Sequence, residues 1–132
     1  MSRDVITALG EAIDGLLYMS ESDEPFEVVH WEAGDRGLDE RKILELSGHQ
    51  LDAPIKTLSL DSFFATLTEE QDWYGENEKK DLRRYRNLHD LIKLHLSDAK
   101  VFHVGVIKVD IYIVGRTREG DWAGVKTKSV ET

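Results

Sequence analysis

The sequence predicts an α+β fold in which helices pack on a largely antiparallel sheet. Apolar residues recur at helical spacing in two long segments, one at the N-terminus and one that ends near residue 96. After residue 98 the period changes to two, which indicates strands, and Arg118–Asp121 has the composition of a hairpin turn between the last two. Because helices and strands follow one another in mixed order, the antiparallel α+β class is favoured.

The N-terminal half is predicted to contain two helices and two strands. The first helix rests on an apolar stripe that begins at Val5. A polar, proline-containing segment then ends it, and β-branched and aromatic residues indicate a strand. Gly48 is suited to end a second helix. The predicted bounds are helix Arg3–Met19, turn Ser20–Pro25, strand Phe26–Trp31, helix Asp39–Ser47 and strand Ile55–Leu60.

The C-terminal half is predicted to contain two further helices and three strands. Asp61 is suited to cap a short helix that carries Phe63 and Phe64, and Thr68 and Gln71 have the spacing of a capping box. The longest helix has one buried side, formed by residues three or four apart: Leu82, Tyr85, Leu88, Ile92 and Leu96. The predicted bounds are helix Glu76–Leu96 and strands Val101–Val106, Lys108–Arg116 and Trp122–Val130.

Composition predicts a single domain over residues 1–132, with a cytoplasmic location. The chain has no cysteine, which excludes disulfides and thiol catalysis, and it has no apolar run long enough for a membrane span. Its 26 acidic and 17 basic residues give a net charge of −9. Such a surface repels phosphate backbones, so a nucleic-acid partner is not favoured, whereas a basic protein partner is. The acids concentrate in residues 4–35 and 69–78, where no Lys or Arg occurs.

Motifs for catalysis and for metal binding are weak. The five histidines have no metal-ligand spacing, and no serine nucleophile elbow occurs. The segment Gly115–Gly120 has P-loop spacing without the Gly-Lys-Ser/Thr ending, and a hairpin turn explains it. We therefore expect no enzyme activity, no cofactor and no metal of its own. A small hydrolase that uses carboxylates with His30 or His103 is the weaker alternative.

Three features resemble a binding surface more than a core. Glu21 lies between two hydroxyl residues in a predicted turn. Trp73 and Tyr74 occur in an acidic segment with no helical or strand period, so they either cover the core or anchor an interface. At Thr132 the hydroxyl and the α-carboxylate are both hard oxygen donors that could approach a Mg²⁺ ion or its waters.

Several short motifs, in order and spread over nearly the whole chain, resemble the nuclease A inhibitor-like proteins. Each motif is weak alone, and the set is specific. The similarity is weakest on the surface of the first helix and in residues 32–47. The motifs are Ser20-Glu21-Ser22, Pro25-Phe26-Glu27-Val28, Asp52-Ala53-Pro54, Asp61-Ser62-Phe63-Phe64, Gln71-Asp72-Trp73-Tyr74 and the ending Thr127 to Thr132.

The resemblance implies a three-layer α/β/α sandwich similar to the pathogenesis-related class 1 fold. It also implies one-to-one inhibition of a Mg²⁺-dependent, sugar-non-specific endonuclease with a ββα-metal active site. Under this resemblance Glu21 meets basic residues of the nuclease cleft, Thr132 approaches the hydrated Mg²⁺ of the nuclease, and Gln71, Asp72 and Trp73 are further contacts. The alternative is an acidic interaction module of the same fold with a different basic partner.

Overall fold

A five-stranded antiparallel sheet organises the chain in a computed structural model that describes residues 2–19, 23–32 and 39–130. The strand order is β3-β7-β6-β5-β4, and β1 and β2 form a separate antiparallel pair. The elements are α1 (Ser2–Ile13), β1 (Leu17–Met19), β2 (Asp23–Pro25), β3 (Glu27–Trp31), α2 (Glu40–Ser47), β4 (Ile55–Ser59), α3 (Leu60–Leu67), α4 (Glu76–His95), β5 (Ser97–Val104), β6 (Lys108–Arg116) and β7 (Trp122–Val130). The predicted mixed α+β class and antiparallel sheet are confirmed.

Both faces of the sheet are covered by helices. Along β6, Ile111 and Ile113 belong to a core that they share with α1, α3 and α4. The alternate residues Tyr112 and Val114 belong to a second core, which they share with α2. This follows from the two-residue period of a strand, since successive side chains point to opposite faces. The central strand is therefore apolar on both faces, although a surface strand would be polar on one.

The long helix is fixed to the sheet along its predicted apolar side. All five residues of that stripe are buried. At the C-terminal end of α4, a Cβ added to Gly115 would lie 2.8 Å from the Cβ of Leu96. The close approach of helix and strand therefore requires glycine there. The second and third predicted strands of the C-terminal half, Lys108–Arg116 and Trp122–Val130, are also confirmed.

The first helix is shorter than predicted. It ends at Ile13, and residues 17–19 pair with residues 23–25 as a hairpin, where one helix and a turn were expected. Two causes lie outside the apolar pattern. Gly15 adopts a left-handed φ of +73°, and Arg84 donates hydrogen bonds to the carbonyl oxygens of Ala12 (2.9 Å) and Asp14 (2.6 Å). The tip of the predicted turn, residues 20–22, lies outside the described residues.

Two predicted caps are wrong. Ser59, and not Asp61, caps α3, because its hydroxyl accepts a hydrogen bond from the Ser62 amide at 3.1 Å. Thr68 ends α3 by donating to the Phe64 carbonyl, so it forms no capping box with Gln71. The N-terminus of α4 is instead capped by Glu78, whose carboxylate accepts from the Gly75 amide at 3.0 Å. The predicted strand Val101–Val106 is displaced along the chain, since β5 begins at Ser97 and ends at Val104.

Candidate protein-interaction surface

The β1–β2 hairpin, residues 17–19 and 23–25, is held between β7 and α4. The hydroxyl of Thr127 on β7 donates to the carbonyl oxygens of Pro25 (3.0 Å) and Glu24 (3.4 Å). On the other side, the hydroxyl of Tyr85 on α4 donates to the carbonyl oxygen of Leu17. Tyr18 stacks on Phe63 of α3 with ring centroids 6.1 Å apart. Side chains from three elements thus fix the position of this short hairpin.

Two of the five predicted contact residues, Glu21 and Thr132, lie outside the described residues. The nearest described residues on either side of Glu21 and before Thr132 belong to strands. Met19 pairs with Asp23 at the end of the hairpin nearest the connecting residues 20–22, and Val130 pairs with Lys108 at the end of the sheet.

The other three predicted contact residues lie in the loop that joins α3 to α4. Trp73 is 72% exposed, Asp72 is exposed and Gln71 is half-buried. A turn shapes the loop, in which the Tyr74 amide donates to the Gln71 carbonyl at 3.1 Å. The rings of Trp73 and Tyr74 meet edge to face, with centroids 4.7 Å apart. Trp73 therefore does not cover the core, which was one of its two predicted roles.

The hairpin and the Trp73 loop lie toward the same end of the sheet. We call this the distal end, where Val104, Lys108 and Val130 lie. Helix α4 ends at the opposite end of the sheet, since Leu96, which follows its last turn, abuts Gly115, and Gly115 pairs with Ala123 near the start of β7. It reaches the hairpin at Tyr85, which donates to Leu17, and the same hairpin contacts β7 at Thr127. The N-terminus of α4 at Glu76 lies a further nine residues along the helix, about 14 Å, in the same direction.

The contact between Tyr85 and the hairpin has an acidic surrounding. Burial raises the pKa of Tyr85, and the carboxylates of Asp81 and Asp23 and the neighbouring Tyr18 raise it further. Each of these factors disfavours the phenolate. The hydroxyl consequently stays protonated at neutral pH and remains a hydrogen-bond donor to the hairpin.

The histidines join elements and do not converge on one site. His30 bonds Asp121 at 3.0 Å, and His89 bonds Asp61 at 3.0 Å. His30 lies on β3 and His103 on β5, three strand spacings or about 14 Å apart, so they cannot act on one atom. His103 packs edge-on against Phe63. Among the described residues, no group of three or more His, Asp or Glu could hold a metal ion.

His49 connects α2 to the central strand of the sheet. Its Nε2 lies 2.9 Å from Asp110 Oδ2 and 3.2 Å from the Tyr112 hydroxyl. A histidine placed between a carboxylate and a nucleophile uses both ring nitrogens, whereas His49 directs one nitrogen to both partners. The arrangement thus fixes α2 on the sheet and has no catalytic geometry.

One exposed feature was missed in the sequence. Val106 is 68% exposed and Ile107 is 58% exposed, at the turn between β5 and β6. Both residues are β-branched, so Val106 was predicted to end a strand and the exposure of the pair was not foreseen. The preceding Gly105, with φ +113°, was the available signal for a turn.

Trp73 is an exposed tryptophan next to a carboxylate, and exposed aromatic residues of this kind are typical of the class of protein-binding domains. The described helices include none that is both long and apolar enough to cross a membrane. The family described as nuclease A inhibitor-like protein matches residues 3–132, nearly the whole chain. The chain therefore belongs to the nuclease A inhibitor-like family, and the predicted resemblance is confirmed. No curated protein matches the chain significantly in sequence.

Proposed function

We propose that this protein inhibits a Mg²⁺-dependent, sugar-non-specific endonuclease by occupying its basic active-site cleft, and that it has no catalytic activity of its own. The single observation that best supports the proposal, beyond the family, is the exposure of Trp73 at the distal end of the sheet. A large aromatic side chain that is 72% exposed leaves apolar area in water, which a binding partner would cover.

The proposed contact surface comprises the Trp73 loop, the hairpin tip and the end of β7. Its five contact residues are those that the family resemblance implies: Glu21, Gln71, Asp72, Trp73 and Thr132. A protein–protein interface of ordinary size buries about 800 Å² on each partner, which corresponds to a patch about 30 Å across. The distance of about 14 Å between Tyr85 and the N-terminus of α4 fits within such a patch.

The physical basis of inhibition is charge mimicry. An endonuclease cleft is positive because it binds phosphates, and its Mg²⁺ accepts oxyanions. Carboxylates at matching positions occupy the same field and offer no bond to cleave. We propose that Glu21 faces basic residues of the cleft and that Thr132 approaches the nuclease Mg²⁺ through water. The complex is then one-to-one and competitive with nucleic acid.

The finer fold assignment belongs to the same proposal. Helix α2 lies on one face of the sheet and the other three helices on the opposite face. This arrangement supports a three-layer α/β/α sandwich in a single domain over residues 1–132. The similarity to the pathogenesis-related class 1 fold stays a prediction from the family resemblance.

The test is a titration of DNA cleavage by endonucleases of this class. We expect cleavage to stop at about one equivalent of the protein. Glu21→Gln and removal of Thr132 should each weaken inhibition, since truncating one partner of a buried interfacial charge pair costs about 2–5 kcal/mol. Gln71→Ala should weaken it by a smaller amount, since it removes a neutral amide. Asp90→Asn is the charge-matched control, because Asp90 is exposed on α4 outside the proposed surface. Its inhibition should equal that of the wild type.

Full cleavage at excess protein, with several endonucleases of this class, would contradict the proposal. A pull-down from native lysate then separates the alternatives. Recovery of a basic partner without nuclease activity would support the acidic interaction module of the same fold.

A further inference from the structure

The turn between β5 and β6 presents two adjacent β-branched side chains to solvent. Val106 and Ile107 are 68% and 58% exposed, whereas the flanking Val104 and Val109 are 2% and 3% exposed. Turn tips usually carry Gly, Asn, Asp or Ser, which solvate well and tolerate the backbone geometry. Single exposed apolar residues are common, but an adjacent pair at the tip of a turn is a compact apolar surface.

This apolar turn, Val106–Ile107, lies at the distal end of the sheet. Lys108, the next residue, pairs with Val130 at the end of β7. The β1–β2 hairpin contacts the same strand at Thr127, three residues from that end. Adjacent strands are about 4.8 Å apart, so the turn between β5 and β6 lies within about 15 Å of the hairpin. The apolar turn therefore lies near the hairpin, which belongs to the proposed contact surface.

The turn is held in a fixed shape. The Gly105 amide donates to the Pro54 carbonyl at 2.8 Å, which fastens the turn to the segment before β4. Gly105 has a φ of +113°, and a Cβ at this position would lie 2.3 Å from the Lys108 carbonyl oxygen. The backbone thus folds tightly on itself and admits only glycine. Side chains on such a turn lose little freedom when they bind a partner.

We infer that Val106 and Ile107 form a second apolar anchor for the endonuclease, which contacts an apolar surface on the rim of the nuclease cleft. The inference rests on the proposed function and adds a contact to it. Acidic contacts steer the nuclease to the distal end, and apolar contacts slow its release.

The experiment compares a double variant with a matched control on the full chain. Val106→Ser with Ile107→Ser removes the apolar tip, and Leu94→Ser removes an equally exposed apolar residue near the opposite end of α4, where Leu94 is 70% exposed. We expect the double variant to bind the endonuclease about 10–100-fold more weakly, through a faster dissociation rate. The salt dependence of its association rate should match that of the wild type, since no charge changes. Leu94→Ser should bind as the wild type does.

Other outcomes overturn the inference in distinguishable ways. Wild-type inhibition with an unchanged double variant overturns the apolar anchor and leaves the proposed function standing. Absence of wild-type inhibition overturns both. A wild-type dimer by analytical ultracentrifugation that becomes a monomer in the double variant assigns the apolar turn to self-association, and also overturns the inference. Urea unfolding midpoints of the variants separate loss of contact from loss of fold.

Discussion

The exposure of Trp73 supports its proposed role as an interface anchor. Its ring meets Tyr74 edge to face, which restricts its orientation, while 72% of its surface faces solvent. An oriented aromatic side chain contributes a large apolar area at little entropic cost when it is covered. Its neighbours Asp72 and Gln71 supply a carboxylate and an amide at the rim of the same loop.

Replacing Trp73 by alanine should weaken inhibition strongly and leave the fold unchanged. Loss of a hot-spot tryptophan raises Kd by about 30–1000-fold, or about 2–4 kcal/mol. The thermal midpoint should move little, because the side chain is mostly exposed in the free protein. Inhibition constants and melting curves check both statements. If Trp73→Ala lowers the melting temperature by many degrees and binds normally, the residue has a structural role instead.

At the scale of elements, α4 positions the surface. Its C-terminal part packs closely on Gly115, Tyr85 bonds the hairpin, and Arg84 caps the end of α1. The residues that form the proposed contacts therefore depend on one helix that is buried along one side. The geometry of the loop before α4 and of the hairpin is consequently coupled to the same core.

The hydrogen bond from Tyr85 to Leu17 predicts a stability effect that depends on pH. Tyr85→Phe should lower the free energy of unfolding by about 1 kcal/mol at neutral pH, because the Leu17 carbonyl loses its donor. Burial raises the pKa of Tyr85 in the folded protein. Above about pH 10 the unfolded chain therefore binds fewer protons than the native state, and the free energy of unfolding falls as the pH rises.

Tyr85→Phe removes the Tyr85 contribution to this alkaline decline. Urea unfolding between pH 7 and pH 11 should show the wild type losing more stability than the variant above pH 10. Tyr112, whose pKa burial also raises, accounts for a remaining decline in both proteins. Tyr112→Phe serves as the matched control, since it keeps the Tyr85 contribution to the decline. Parallel stability curves for the wild type and Tyr85→Phe would contradict the role of Tyr85.

The sequence predicts most elements of the fold, because their signals are local. The stripe of α4 and the two-residue period of β6 and β7 depend on neighbours a few residues away, and these elements are confirmed. The hairpin was missed because Leu16 and Leu17 continue the helical period of α1. That helix is ended by Gly15, with its left-handed φ, and by the hydrogen bonds from Arg84, about 70 residues along the chain, which no local pattern contains.

The candidate site, like the fold, could be predicted only where the signal is local in sequence. Trp73 stands out in sequence because an aromatic residue among carboxylates has no helical or strand partner. Val106 and Ile107 do not stand out, since two β-branched residues in a β-rich segment are typical of a strand. Only the pairing of Val104 with Asp110 shows that they occupy a turn at the distal end. Local composition thus identifies an apolar residue in a polar segment, whereas it does not identify an exposed apolar residue in an apolar segment.

At the scale of the whole molecule, net charge decides how the partner approaches. A charge of −9 attracts a positive cleft over distances comparable to the Debye length, about 10 Å at 0.1 M salt. Short-range contacts, such as those of Trp73 and of the apolar turn, act after this encounter and govern release. Association and dissociation should therefore respond to different variables.

Raising the salt concentration from 0.05 M to 0.5 M should slow association with the endonuclease about tenfold or more and change the dissociation rate by no more than about twofold. Surface plasmon resonance or stopped-flow fluorescence measures both rates. Trp73→Ala should keep the wild-type salt slope with faster release, because it removes apolar area and no charge. Glu21→Gln should give a shallower slope, since it removes a carboxylate that we propose to face basic residues of the nuclease cleft. An association rate that salt leaves unchanged would show that electrostatic steering does not bring the two proteins together.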